Sequence, residues 1–215
     1  MKSRNLVLAL SLALCAALLQ GCVEMAAVGA GAAVLSHVDR RTTGTQVEDE
    51  GIELRASNRI IERYGDKVHF NVTSFNRGVL LTGEVPDAKA QEDIGKIAAG
   101  VPGVRGVTNE LRVAGIASYS SRANDSGITG KVKARFLDAG RFNAIHVKVV
   151  TEAGVVYLLG IVTEKEAADA TEVARTTGGV RKVVRVFEYC QPGDAACRPR
   201  EQPKAAEPAK GKQGS

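Results

Sequence analysis

The sequence predicts an α+β protein built from two tandem copies of one small module, each ordered helix, strand, strand, helix, strand. Three observations carry this reading. The chain repeats itself at an offset of 77 residues: Val68, Phe70 and Val72 match Ile145, Val147 and Val149, and a V-x-L-x-G run follows each set, as Val79, Leu81, Gly83 and as Val156, Leu158, Gly160. Within each copy, apolar residues recur every four positions in one stretch and every two in the next, the periods of a helix face and of a strand face. With aromatics at 4% and no Trp, one large core is poorly supplied, and small modules are the better expectation.

The first copy is read as residues 51–114 and the second as 124–189. Each opens on a helix whose inner face is Ile52, Ala56 and Ile60 in one copy and Ile128, Val132 and Phe136 in the other; Ile61 and Leu137 are also matched. The first strand alternates, with Val68, Phe70 and Val72 inward and His69 and Asn71 outward. A hairpin at Asn76-Arg77-Gly78, or at Glu152-Ala153-Gly154, leads into the V-x-L-x-G strand. The second helix carries Ile94, Ile97, Ala98 and Val101, or Ala167, Ala170, Val173 and Ala174. Gly103-Val104-Arg105-x-Val107 matches Gly179-Val180-Arg181-x-Val183 after a one-residue slip and supplies the last strand. The helices are expected to cover one face of a three-stranded mixed sheet.

The ends of the chain carry different information. Lys2 and Arg4 precede an apolar run from Leu6 to Leu19, the layout of an export signal over residues 1–21, and the run is short for a bilayer span. It closes on LLQGC, which resembles the lipobox of bacterial lipoproteins and makes Cys22 the acylated residue. Val23, where lipoproteins kept in the inner membrane typically have Asp, points to the outer membrane. Residues 22–50 read as a flexible tether, and residues 190–215, dominated by Pro, Lys, Glu, Ala, Gly and Gln, as a disordered tail. In an oxidising compartment Cys190 and Cys197 can pair across their short loop.

Without Lys2 and Arg4 the mature chain has 27 basic against 24 acidic residues, too small an excess to argue for nucleic acid. No cysteine has a neighbouring histidine, no carboxylate pair stands out, and the glycine-rich turns lack phosphate-cradling spacing, so no catalytic arrangement is read. His69 and His146 hold the same repeat position but show no second ligand beside them, so no metal site is expected. The second copy is the more basic, with ten basic against seven acidic residues in 126–189. Lys131, Lys133, Arg135 and Arg141 cluster on its first helix beside a single acid, Asp138. Such a cluster suits a weak, salt-sensitive hold on an anionic membrane, and it equally suits a solvated helix face.

The αββαβ order with V-x-L-x-G before the second helix resembles BON domains, which are small periplasmic modules. Together with the lipobox, the Ala/Gly-rich tether and the GTQVEDEGIELR entry from Gly44 to Arg55, the chain is similar over residues 1 to about 188 to dual BON-domain outer-membrane lipoproteins. The resemblance implies a non-enzymatic protein without a cofactor beyond the lipid on Cys22. It further implies support of envelope integrity, enrichment at division sites, and binding of anionic phospholipid through the first helix of the second BON domain. Carried onto this chain, that site comprises Ile128, Lys131, Val132, Lys133, Arg135, Phe136, Arg141 and Phe142. The family has an aromatic near the start of that helix, where this chain has Gly127. The alternative reading is an adaptor for outer-membrane assembly proteins, using the near-neutral first copy.

Overall fold

The structure, a computed structural model, describes residues 39–198. The export signal, Cys22, most of the tether and the end of the tail lie outside the described residues. The first module contains α1 (Thr43–Tyr64), β1 (His69–Phe75), β2 (Gly78–Val85), α2 (Ala88–Ala99) and β3 (Gly106–Val113). The second contains α3 (Tyr119–Ala139), β4 (Lys148–Glu152), β5 (Val155–Val162), α4 (Glu164–Arg175) and β6 (Lys182–Tyr189). In each sheet the V-x-L-x-G strand is central, antiparallel to the first strand and parallel to the third. The expected αββαβ modules on mixed sheets are the observed ones.

Both helices of a module cover one sheet face. Ile52, Ala56 and Ile60 of α1 and Ile94 and Ala98 of α2 close over Val79, Leu81 and Val85; Ile128, Val132 and Phe136 of α3 do the same with Val156, Leu158 and Val162. The last residue of the V-x-L-x-G run must lack a side chain, because a Cβ on Gly83 would collide with the carbonyl of His69, and one on Gly160 with that of His146. Hairpin turns with positive φ at Asn76 and Arg77, and at Ala153 and Gly154, join the first two strands.

The second sheet faces are turned toward each other and largely away from water. Phe75 and Leu80 of the first module pack with Tyr157, Leu159 and Ile161 of the second, so the modules dock sheet against sheet. This is why β5 reads VVYLLGIV with no polar alternation: a strand buried on both faces has no wet side to mark. His69 and Asn71, expected to point outward to solvent, therefore point into this seam, where Asn71 Nδ2 donates to Glu152 Oε2 at 3.0 Å. His146 does not lie on a strand at all; it is buried in the single turn Ala144–His146, and Ile145, matched to an inward position, is exposed.

Two boundaries need correction. Residues 39–50, assigned to the tether, are part of the folded unit: α1 begins at Thr43 with Thr42 as its N-cap, and Asp39 and Arg40 are buried. Ahead of residue 124, where the second module is expected to start, α3 extends back to Tyr119, where Ser118 caps it, while its buried residues begin at Asp125. At the other end, residues 190–198 belong to the fold. A disulfide joins Cys190 to Cys197, and both cysteines pack against the seam residues.

Arg40 latches the entry of the first module onto the second. Its guanidinium donates from Nη1 and Nη2 to the two carboxylate oxygens of Glu166 at 2.8 and 3.0 Å, and from Nη1 to the carbonyl of Ile161 at 2.7 Å. Glu166 also completes a capping box with Thr163 at the start of α4. Acidification is expected to release this latch. Burial pushes the Glu166 carboxyl up, but hydrogen bonds from Arg40 and from the Thr163 backbone outweigh it and hold the group at about 2. Because the folded value lies below the ordinary 4.5, the stabilisation is complete above that pH and is lost as pH falls toward 2. The loss is about 1–2 kcal/mol after allowance for solvent screening. Urea unfolding at pH 7 and pH 3 should show this difference in the native protein and not in Glu166→Gln, where the capping box survives.

Candidate functional site

The residues expected at a lipid surface divide into two sets on α3. At 100° per residue, Asp125, Ile128, Val132 and Phe136 form one face, and that face is buried against the sheet. Ile128, Val132 and Phe136 are each at most 1% exposed, so the expectation that they touch lipid is corrected: they are the core of the second module. Phe142 follows the helix beyond the left-handed cap at Gly140 and packs edge-on against Phe136 at 4.9 Å, which makes it a half-buried flank of that core. Arg135 is also engaged inward. Its Nη1 donates to the carbonyl of Val173 at 3.1 Å and to Thr177 Oγ1 at 2.9 Å, tying α3 to the end of α4.

Lys131, Lys133 and Arg141 are exposed, and they flank an outward face that lacks acids along its centre. Tyr119, Ala123, Ser126, Gly127, Gly130, Ala134 and Leu137 lie there, all exposed. Tyr119 and Leu137 are eighteen residues apart, which is five turns of an α-helix, so they stand in one line at its two ends. They are 86% and 71% exposed. The Arg122 guanidinium stacks on the Tyr119 ring at 4.3 Å, placing another cation at the helix start. An uncharged line with an apolar residue at each end and Lys on both flanks matches an interface between water and anionic head groups.

Reading the sequence alone missed Leu137 and Tyr119. Leu137 had been matched to Ile61 as a repeat position, and both prove to be exposed. The available signal was their place one residue after the inner stripe, outside the four-residue spacing. Tyr119 fell before the expected start of the helix.

The first module presents a different outward face. Val47, Leu54 and Ile61, seven residues apart on α1 and each more than half exposed, form an apolar line opposite the buried stripe. The acids Glu48, Glu50, Glu53 and Glu62 accompany it on the same helix, in contrast to α3.

Polar groups also converge in the seam. His69 Nδ1 lies 3.1 Å from Glu84 Oε2, Arg112 Nη2 donates to Glu84 Oε1 at 2.6 Å, and Glu152 approaches from the second module. The expectation that His69 has no second ligand beside it is thus corrected: the docking of the two sheets supplies two carboxylates that its own strand does not show. Burial pushes the Glu84 carboxyl up, but Arg112, the Ala117 N–H and His69 bring it below its ordinary value. Burial, then the Glu84 charge, push Glu152 the other way, above the ordinary value. No helix among the described residues is long and apolar enough to cross a membrane.

Comparison with known proteins agrees with this architecture. The BON domain family model matches twice, over residues 48–115 and 124–191. The chain is 42% identical over 175 residues to the outer membrane lipoprotein DolP of Haemophilus influenzae, covering 80% of this chain and 90% of that protein. It is 37% identical over 156 residues to a 21 kDa hemolysin of Actinobacillus pleuropneumoniae, covering 72% and 80%. It is 31% identical over 144 residues to osmotically-inducible protein Y of Escherichia coli, covering 65% and 72%. Two matched modules and this degree of identity across most of both chains show that the protein belongs to the BON-domain family, as a dual-BON member of the DolP group.

Proposed function

We propose that this protein is an outer-membrane lipoprotein, anchored by acyl chains on Cys22, that engages anionic phospholipid through the outward face of α3 and so supports envelope integrity, with enrichment at division sites. It acts as a binding protein rather than an enzyme. The observation that carries the reading is the composition of that face: Leu137 and Tyr119 bare to solvent, a charge-free line between them, and Lys131, Lys133 and Arg141 at its margins. The relative's name, outer membrane lipoprotein, supports the location, as do the lipobox and Val23.

Each basic residue near an anionic surface contributes about 1 kcal/mol, so three of them give a weak, salt-sensitive hold. A lipid anchor makes that sufficient, because it keeps the module at high effective concentration beside the bilayer. Exchanging Lys131 and Lys133 for Glu together should weaken sedimentation with phosphatidylglycerol vesicles roughly 30-fold, since at least 2 kcal/mol of attraction is removed. Binding that stays within twofold of the native value would sink the reading. Arg135 is left out of this test because it braces α4.

A second reading rests on the apolar line of Val47, Leu54 and Ile61. Set among acids, it suits a protein partner better than an anionic bilayer, and it provides the surface that an adaptor for outer-membrane assembly proteins requires. Photocrosslinking from position 54 in cells should capture a discrete protein, whereas labelling of lipid alone would remove this reading.

A further inference from the structure

The sheet-to-sheet seam holds a group of ligand-type side chains that the lipid reading does not use. One nitrogen of His69 and one carboxylate oxygen each of Glu84 and Glu152 all lie within 4.8 Å of one another. Two of these residues come from the first module and one from the second. Glu84 and Glu152 are 1% and 5% exposed.

The two carboxylates are held unequally: Arg112 donates to Glu84, whereas the hydrogen-bond partner of Glu152 is the neutral Asn71, on Oε2, with the His69 imidazole facing it. Its other oxygen has no hydrogen bond among the described residues. A buried carboxylate without a cation of its own takes up a proton or attracts a positive ion. A solvent-open groove, whose charged and ligand-type lining is His69, Arg122, Asp125 and Glu152, gives an ion a route in.

We propose that His69, Glu84 and Glu152 form a binding site for a divalent transition cation of the Zn2+ type, and that the bound ion clamps the two modules together. One imidazole nitrogen with two carboxylate oxygens is a donor set that suits Zn2+, with a fourth position left for water. Mg2+ and Ca2+ are disfavoured, since they prefer six or more oxygen ligands. Bonds of about 2.0–2.1 Å require the three donor atoms to draw in by about 1 Å, within reach of side-chain rotation. Arg112 on Glu84 Oε1 and Asn71 on Glu152 Oε2 then serve as outer partners, each orienting a carboxylate by the oxygen opposite the ion. Because the ligands belong to both modules, binding stabilises their docking by mass action.

The test is titration of ZnCl2 into the full-length protein freed of metal, followed by calorimetry and thermal unfolding. One ion per chain is expected, with Tm raised by about 5 °C or more at a hundredfold excess over Kd. Glu152→Gln keeps an oxygen for Asn71 and should abolish both effects while leaving the metal-free Tm unchanged or higher. His69→Gln is a second variant with the same expected loss, and MgCl2 should produce no shift. Absence of heat and of a Tm change at 100-fold excess of Zn2+ over protein would overturn the proposal, as would native-like binding by both variants.

Discussion

Truncating Phe136 to alanine is expected to destabilise the protein by about 4 kcal/mol, whereas the same change at Leu137, its neighbour in sequence, should alter stability by less than about 0.5 kcal/mol. Phe136 is the largest fully buried side chain among the described residues, set among Ile128, Val132, Val156 and Leu158 and met edge-on by Phe142. Removing its ring leaves a cavity that the sheet and α4 cannot close, and the cost combines lost burial with the void. Leu137, about 100° further round the helix, projects into solvent, so its loss strips an apolar contact from a vesicle surface and little else. Urea midpoints and vesicle binding should therefore respond in opposite order to two adjacent substitutions. A Leu137→Ala variant that lost stability while binding lipid normally would show that the two faces of α3 have been assigned the wrong way round.

Asp49→Ala should be comparably severe, at about 4 kcal/mol. Asp49 is 2% exposed, and its carboxylate accepts from Ser74 Oγ at 2.7 Å, Asn76 N at 2.8 Å, Arg77 N at 2.7 Å and Arg41 Nη1 at 2.9 Å. Two of these donors are the backbone N–H groups of a hairpin turn whose central residues, Asn76 and Arg77, both sit at positive φ without being glycine. That turn is strained and depends on the carboxylate to hold it. Alanine leaves two half-buried N–H groups and the buried Ser74 hydroxyl without their acceptor and takes from Arg41 one of its two carboxylates, at about 1–3 kcal/mol for each orphaned donor, part of which water recovers. Asp125 does the same work in the second module, accepting from Ala153 N and Gly154 N at 2.8 Å. Its turn contains a glycine and it has fewer partners, so Asp125→Ala should cost less, about 2 kcal/mol. Chemical unfolding of both variants checks the order. Equal losses would argue against strain as the source of the difference.

These aspartates show where the sequence was readable and where it was not. The helices and strands were legible because their apolar residues keep the helix and strand periods, and because the repeat supplied each assignment twice. Asp49 and Asp125 stand in the same repeat, as Asp49-x-Gly51-Ile52 and Asp125-x-Gly127-Ile128, but a polar match carries no periodicity that would assign it a structural role. The seam was hidden for a related reason. Docking buries Thr73, Thr82 and Glu84 on the first sheet, with Tyr157, Leu159 and Ile161 on the second, so the polar residues of one module imitate a solvent face. Only the unbroken apolar run of β5 hinted that both its faces were covered.

At the candidate site Lys131, Lys133 and Arg141 of the expected basic cluster are exposed and Arg135 turns inward, whereas the expected apolar contacts lie on the buried face of the helix. Ile128, Val132 and Phe136 were conspicuous because they are large and regularly spaced, which is the signature of a core stripe rather than of an exposed one. Leu137 is a single residue among small neighbours, and its only mark is that it falls one place outside the four-residue spacing of the core stripe. The tether and tail boundaries were short on both sides for a simpler reason: Arg40, Cys190 and Cys197 are held by partners more than a module away or by a covalent bond, and local composition does not reveal either.

The most direct test of the central claim is amide chemical-shift mapping of the full-length protein as anionic phospholipid is added. Changes should gather on Tyr119, Ala123, Gly127, Gly130, Lys131, Lys133, Ala134, Leu137 and Arg141, fade as salt is raised, and leave the outward face of α1 unmoved. Shifts centred on Val47, Leu54 and Ile61, or none anywhere at low ionic strength, would contradict a membrane role for α3.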